Sequence, residues 1–151
     1  MSLSWIDKYI TGIIEYCNSR DIYEIYNSLN INIIKTIKND PLLGNNEALY
    51  IRNFNGIEVV FINNDLPYEY QKFVLAHELG HAVLHTEIQT AAFNKDFINK
   101  AKLERQANYF ALKLLNIKID PVEFRDYTID YISKSLYVSE ESLSYLYLSN
   151  I

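Results

Sequence analysis

Three histidines stand in this chain, and all of them fall in one run of nine residues, His77-Glu78-Leu79-Gly80-His81-Ala82-Val83-Leu84-His85. On a helix, residues four apart are neighbours on one face, with Cβ atoms about 5–6 Å apart. Two imidazoles at that spacing can converge on one metal ion, and the glutamate between them is held beside any water the metal binds. His77 and His81 are therefore candidate metal ligands. Glu78 is the candidate base, taking a proton from that water and passing it to a leaving amine. The bland alternatives are two ordinary histidines on a buried helix and a solvated surface carboxylate. A pair bracketing a glutamate, in a chain otherwise almost free of histidine, favours the metal.

A catalytic zinc takes three protein ligands and keeps one position open. His85 is a poor third ligand, because on a continuous helix it lies about 12 Å along the axis from His77 at 1.5 Å per residue. Both cannot sit within about 2.1 Å of one ion. His85 is left as a residue supporting a ligand, lining a cleft or simply packing. Glu104 is the better candidate. In the segment Leu103-Glu104-Arg105-Gln106-Ala107-Asn108-Tyr109-Phe110-Ala111, the residues Leu103, Ala107 and Phe110, with Leu114 beyond, mark an apolar face. Glu104 and Asn108, themselves four apart, border it. They suit a ligating carboxylate and an amide that orients a histidine, or else a plain helix-surface pair. Glu87, Asp96, Asp120 and Glu123 fall in expected loops or helix starts and lack this setting.

The elements that must position these groups divide the chain in three. Residues 3 to 16 carry Trp5, Ile6, Tyr9, Ile10, Ile13 and Ile14 at helical spacing, and Asp21 is a good N-cap for a second helix reaching about Leu29. A β-rich middle follows: a strand over 31 to 37, then Ala48–Phe54 and Ile57–Ile62 around Asn55-Gly56, a strong hairpin signal. Pro67 suits the first turn of a helix carrying the histidines to about His85. Another helix is expected over 98 to 115, with two short ones after Pro121 and Thr128. The order predicts an α+β domain, a small mostly antiparallel sheet packed with helices.

At 151 residues the chain is read as one domain, with an N-terminal helix over 1–20, a catalytic core over 21–115 and a helical C-terminal segment over 116–151. Its 49% hydrophobic and 22% charged content is that of a globular protein. Cys17, the single cysteine, cannot form an internal disulfide, which favours a reducing compartment. No apolar run approaches the roughly 18–20 residues that span a membrane. The first residues lack a basic start and an apolar stretch, so the expected location is the cytoplasm. A formal net charge of −5 argues against a nucleic-acid surface. The one segment with the rhythm of a helix-turn-helix, Asp130 to Leu143, offers Glu140, Glu141 and Ser142 where Arg, Lys, Asn or Gln would have to meet base edges. It is read as packing or substrate docking.

The His77 to His85 run, followed by Leu103-Glu104-Arg105-Gln106-Ala107-Asn108-Tyr109-Phe110-Ala111-Leu112-Lys113-Leu114-Leu115, closely resembles the ImmA/IrrE family of metallo-endopeptidases. The shared pattern is a His-Glu-x-x-His helix ending in Leu-His, then Glu-x-x-Ala-Asn-x-Phe-Ala-x-x-Leu-Leu on the next helix. The resemblance covers roughly residues 20 to 115, and the two motifs in order are quite specific. One departure is Asn116-Ile117 where Met-Pro often follows the Leu-Leu pair. The resemblance implies one Zn²⁺ per chain on His77, His81 and Glu104, with Glu78 as general base. It also implies a phage or mobile-element setting and a protein substrate, a helix-turn-helix transcriptional repressor. Two other readings stand beside it: a non-hydrolytic regulator that binds a repressor, and a zinc hydrolase of a small substrate. The intact Glu78 speaks against the first, and an open groove would speak against the second.

Overall fold

A computed structural model describes residues 2–86 and 97–149, with side chains over 2–86 and 100–144. The chain opens with a 3-10 turn, Ser4–Ile6, that leads into α1, Asp7–Cys17, and then α2, Ile22–Ser28. Three strands follow, β1 Ile31–Thr36, β2 Ala48–Phe54 and β3 Ile57–Asn63. Helices complete it: α3 Tyr68–Leu84, α4 Phe97–Leu114, α5 Ile129–Leu136 and α6 Glu140–Ser149. This is the α+β arrangement that the periodicity predicts.

Local chemistry sets the boundaries. The Asp21 side chain caps α2 by accepting from the Glu24 backbone N–H at 2.9 Å. Asn18, Asn30 and Asn116, just past α1, α2 and α4, all have positive φ. Asparagine tolerates that left-handed conformation better than other non-glycine residues, so it stops helices. Asn55 and Gly56, with φ of 52° and 86°, make the tight reversal between β2 and β3.

The sheet order is β1-β3-β2. β2 and β3 pair antiparallel, whereas β1 and β3 pair parallel, so the sheet is mixed rather than mostly antiparallel. The connection over 37–47 carries the chain from the end of β1 to the far edge, and β3 returns alongside β1 in the same sense. Leu43, in that connection, packs on Val59 and Phe61 and closes the outer face of the sheet. The inner face, with Ile31, Ala48, Tyr50, Val60 and Ile62, belongs to the main core beside Leu75, Leu79 and Phe110.

A second difference lies after Pro121. Residues 121–126 form turns, not a helix. Asp120 Oδ1 accepts from the Val122 backbone N–H at 2.9 Å, and Val122 is 78% exposed. So short a segment with little to bury does not offset the cost of helix nucleation. The C-terminal helices are different: Ile132, Val138 and Leu143 join the main core. Among the described residues, no helix is long and apolar enough to cross a membrane.

Candidate metal centre

α3 starts at Pro67, whose extended backbone serves as N-cap while its carbonyl accepts from the Gln71 N–H at 2.9 Å. Gln71 also ties the helix start to the preceding loop, donating from Nε2 to the Leu66 carbonyl at 2.8 Å. At the other end, Arg52 reaches over from β2 and donates to the Ala82 carbonyl at 3.1 Å, covering an acceptor that the helix leaves unpaired. Between these anchors nearly every face of α3 is buried, Phe73, Val74, Leu75, Ala76, Leu79 and Ala82 among them.

Gly80 explains how α4 comes so near. A Cβ built there would lie 3.1 Å from Ala107 Cα and 3.3 Å from both the Ala107 carbonyl oxygen and Phe110 Cβ. The two backbones meet at this point with no side chain between them. That approach lets Glu104 reach across. Its Oε2 lies 3.0 Å from His77 Nε2 and its Oε1 lies 2.9 Å from His81 Nε2. The ligand atoms of His77, His81 and Glu104 all fall within 4.8 Å of one another. The sequence-derived candidates His77, His81 and Glu104 are thus brought together, and Glu78 lines the same cleft. No hydrogen bond to the Glu78 carboxylate occurs among the described residues.

Both remaining ring nitrogens are held. His77 Nδ1 is 2.8 Å from Asn108 Oδ1, an oxygen that can only accept, so His77 donates from Nδ1. His81 Nδ1 is 2.9 Å from His85 Nδ1, and His85 Nε2 is 2.9 Å from Gln106 Oε1. Asn108 and His85 therefore each touch one of the two histidines, as residues that orient rather than ligate. Gln106 and Gly80 have no counterpart in the spacing arguments. Gln106 meets His85 only because two helices cross, and the single local sign of Gly80 is a glycine inside a helix.

The electrostatics fit a cation site. Burial works against a charged His77, but the hydrogen bond to Glu104 and the charges of Glu78 and Glu104 outweigh it, and its pKa is raised. Burial likewise works against the Glu104 carboxylate, yet its hydrogen bonds to His77 and His81 hold it well below the usual carboxylate range. His85, buried away from any carboxylate contact of its own, is lowered to about 4, with desolvation the main cause. Two imidazole nitrogens and a carboxylate oxygen converging in this way are a donor set that zinc accepts, and each histidine has an outer partner. The cleft, of about 300 Å³, is bounded by Ala48 and Leu49 of β2 on one side and by Ser139 and Glu141 at the start of α6 on another.

Residues 29–145 match the IrrE N-terminal-like domain family of peptidases. The chain is 35% identical over 108 residues to the metallopeptidase ImmA of Bacillus subtilis (strain 168), covering 70% of this chain and 60% of that protein. It is 28% identical over 107 residues to the uncharacterized immunity region protein 2 of Bacillus phage phi105, covering 70% of this chain and 65% of that one. The match spans less than two thirds of the length of either relative.

Proposed function

This chain belongs to the IrrE N-terminal-like domain family of peptidases, and from that premise we propose that it is a zinc-dependent endopeptidase that cleaves a helix-turn-helix transcriptional repressor in the cytoplasm. The observation that carries the reading is the convergence of His77 Nε2, His81 Nε2 and the Glu104 carboxylate beside Glu78 in one cleft. A relative named as a metallopeptidase supports the reaction class, and one named for a phage immunity region supports a substrate in that setting. Residues 21–115 would carry the chemistry, with Ser139 and Glu141 of the C-terminal segment walling the cleft.

His77, His81 and Glu104 would hold one zinc. When bound, zinc supplies a Lewis acid for the scissile carbonyl and lowers the pKa of its water to around 7. Glu78 sits between the two histidines in sequence and on the same cleft, with its carboxylate open to accept the proton of the attacking water. It then delivers that proton to the leaving amine, so one side chain serves as base and then as acid. β2 is the edge strand bordering the cleft through Ala48 and Leu49, and its outer backbone edge, which pairs with no strand among the described residues, suits an extended peptide laid alongside it. That edge favours a protein segment over a small substrate.

The test uses purified protein with zinc and the helix-turn-helix repressor encoded beside its gene, followed by mass spectrometry, with Glu78→Gln in parallel. The reading expects one discrete cut with the wild type and none with the variant. No cut by either, despite one bound zinc per chain and measurable binding of the repressor, would replace it with the non-hydrolytic regulator.

A further inference from the structure

The crossing of α3 and α4 makes one contact chain that metal ligation alone does not require, from Gln106 through His85 to His81. Gln106 and His85 are both 7% exposed, so neither has free recourse to water for its hydrogen bonds. Gln106 Oε1 is an amide oxygen and can only accept, so the 2.9 Å contact makes His85 Nε2 the protonated nitrogen. A neutral His85 then carries its lone pair on Nδ1, which lies 2.9 Å from His81 Nδ1. That lone pair accepts from His81 Nδ1–H, which leaves Nε2, the atom whose N–H faces Glu104 here, as the nitrogen whose lone pair a metal would take in place of that proton.

We infer that Gln106 is a positioning residue for the metal centre, fixing through His85 the tautomer in which His81 presents Nε2 as a metal donor. The inference rests on the reading of His77, His81 and Glu104 as the ligand triad. The two histidines are thereby set by different devices. His77 is held directly by an amide oxygen, Asn108 Oδ1, whereas His81 is held by an amide oxygen one imidazole removed. Reversing the Gln106 amide would place its NH₂ on His85 Nε2, switch both imidazoles to the other tautomer, and put the proton of a neutral His81 on the nitrogen that must ligate. The relay therefore has a direction, and the Gln106 amide oxygen turned toward His85 gives it.

The experiment measures zinc dissociation constants, by competition with a chromophoric chelator, for the wild type, Gln106→Leu, Gln106→Glu, His85→Leu and the double variant Gln106→Leu with His85→Leu. Thermal unfolding of each chelated protein checks that it folds. Losing an outer hydrogen-bond partner of a ligating histidine typically costs about 10–100-fold in metal affinity, so His85→Leu should lose that much and Gln106→Leu, one imidazole further out, should fall at the low end, about 10-fold. Gln106→Glu, which accepts and cannot donate, should bind within a few-fold of wild type. The Gln106→Leu loss should vanish in the His85→Leu background, because the residues act in series. In the zinc-loaded wild type, imidazole ¹⁵N spectra should show His85 protonated at Nε2. Wild-type affinity in Gln106→Leu, equal losses in Gln106→Leu and Gln106→Glu, or additive losses in the double variant would each overturn the relay while leaving the triad intact. A wild type that binds no zinc would instead remove the triad reading, and the relay with it.

Discussion

Asn108 Oδ1 lies 2.8 Å from His77 Nδ1, and this one contact between α3 and α4 decides which nitrogen His77 offers to the cleft. With Nδ1–H committed to the amide, Nε2 points at Glu104 Oε2, 3.0 Å away. Asn108 is 5% exposed and does not trade this partner for water. Asn108→Leu should therefore weaken zinc binding by about 10–100-fold, as expected for an outer partner of a ligating histidine. Asn108→Asp keeps the acceptor and should bind zinc at least as well as wild type. Chelator competition on the two variants checks this, and equal weakening in both would sink it.

Gly80 and Gly12 make a matched pair of opposite sign. Both stand inside helices, where Gly→Ala normally gains about 0.5–1 kcal/mol. A Cβ on Gly12 meets nothing within 4 Å, so Gly12→Ala should stabilise by that amount. A Cβ on Gly80 would press on the Ala107 backbone, which cannot swing aside as a side chain end could. Overpacking costs typically 1–3 kcal/mol, so Gly80→Ala should be net destabilising by about 1 kcal/mol. It should also weaken zinc binding, because α4 carries Glu104. Urea unfolding of the two variants, with zinc titrations, tests the contrast. A stabilised Gly80→Ala would mean that the helices separate without cost.

The clustering of His77, His81 and Glu104 is legible in the sequence as far as local periodicity reaches. His77 and His81 share a helix, so spacing alone makes them neighbours. Glu104 and Asn108 stand as two polar residues at the border of an apolar stripe, again a property of one helix. What spacing could not give is which groups meet across helices. Gln106 against His85 depends on the angle and closeness of the α3–α4 crossing, which Gly80 sets, and Arg52 against the end of α3 depends on how β2 lies beside that helix. The fold divides in the same way. Caps, turns and the hairpin were readable because each is a short-range preference, such as Asp21 on α2 or Asn55-Gly56 between strands. The parallel pairing of β1 with β3 was not, because it joins Ile31 to Glu58 across 27 residues.

His85 should make the fold sensitive to mild acid. Its folded value of about 4 lies below the ordinary 6.5, so the unfolded chain takes up the proton first. Stability is then fully held above pH 6.5 and is lost as pH falls from there toward 4. At pH 4.5 the loss should be about 2–3 kcal/mol relative to neutral pH. His85→Gln keeps a polar group without a titrating proton, so its stability should fall by correspondingly less over the same range. Denaturant unfolding of chelated wild type and variant at pH 7 and pH 4.5 reads the difference directly, and parallel losses would refute it.

His77 and Glu104 predict the opposite slope on the alkaline side, and only without metal. The pKa of His77 is raised above the ordinary 6.5, so its contribution to stability is fully present below 6.5 and is lost as pH rises through the folded value. Glu104 is held well below the ordinary 4.5, so its contribution is present above 4.5 and lost only as pH falls toward its folded value. Chelated protein should thus be steadiest, as far as this pair is concerned, between about pH 4.5 and 6.5, and its melting temperature should decline from pH 6.5 to 8.5. Zinc requires the neutral Nε2 of His77, so its binding releases a proton and strengthens with pH over the same interval. The zinc-loaded melting temperature should then hold or rise where the chelated one falls, and the gap between them should widen with pH. Chelated Glu104→Gln, lacking the ion pair, should show a flatter alkaline profile than chelated wild type. Thermal unfolding from pH 6 to pH 8.5 with and without zinc supplies the three curves. A wild-type gap that narrows with pH would mean that His77 does not carry the competing proton.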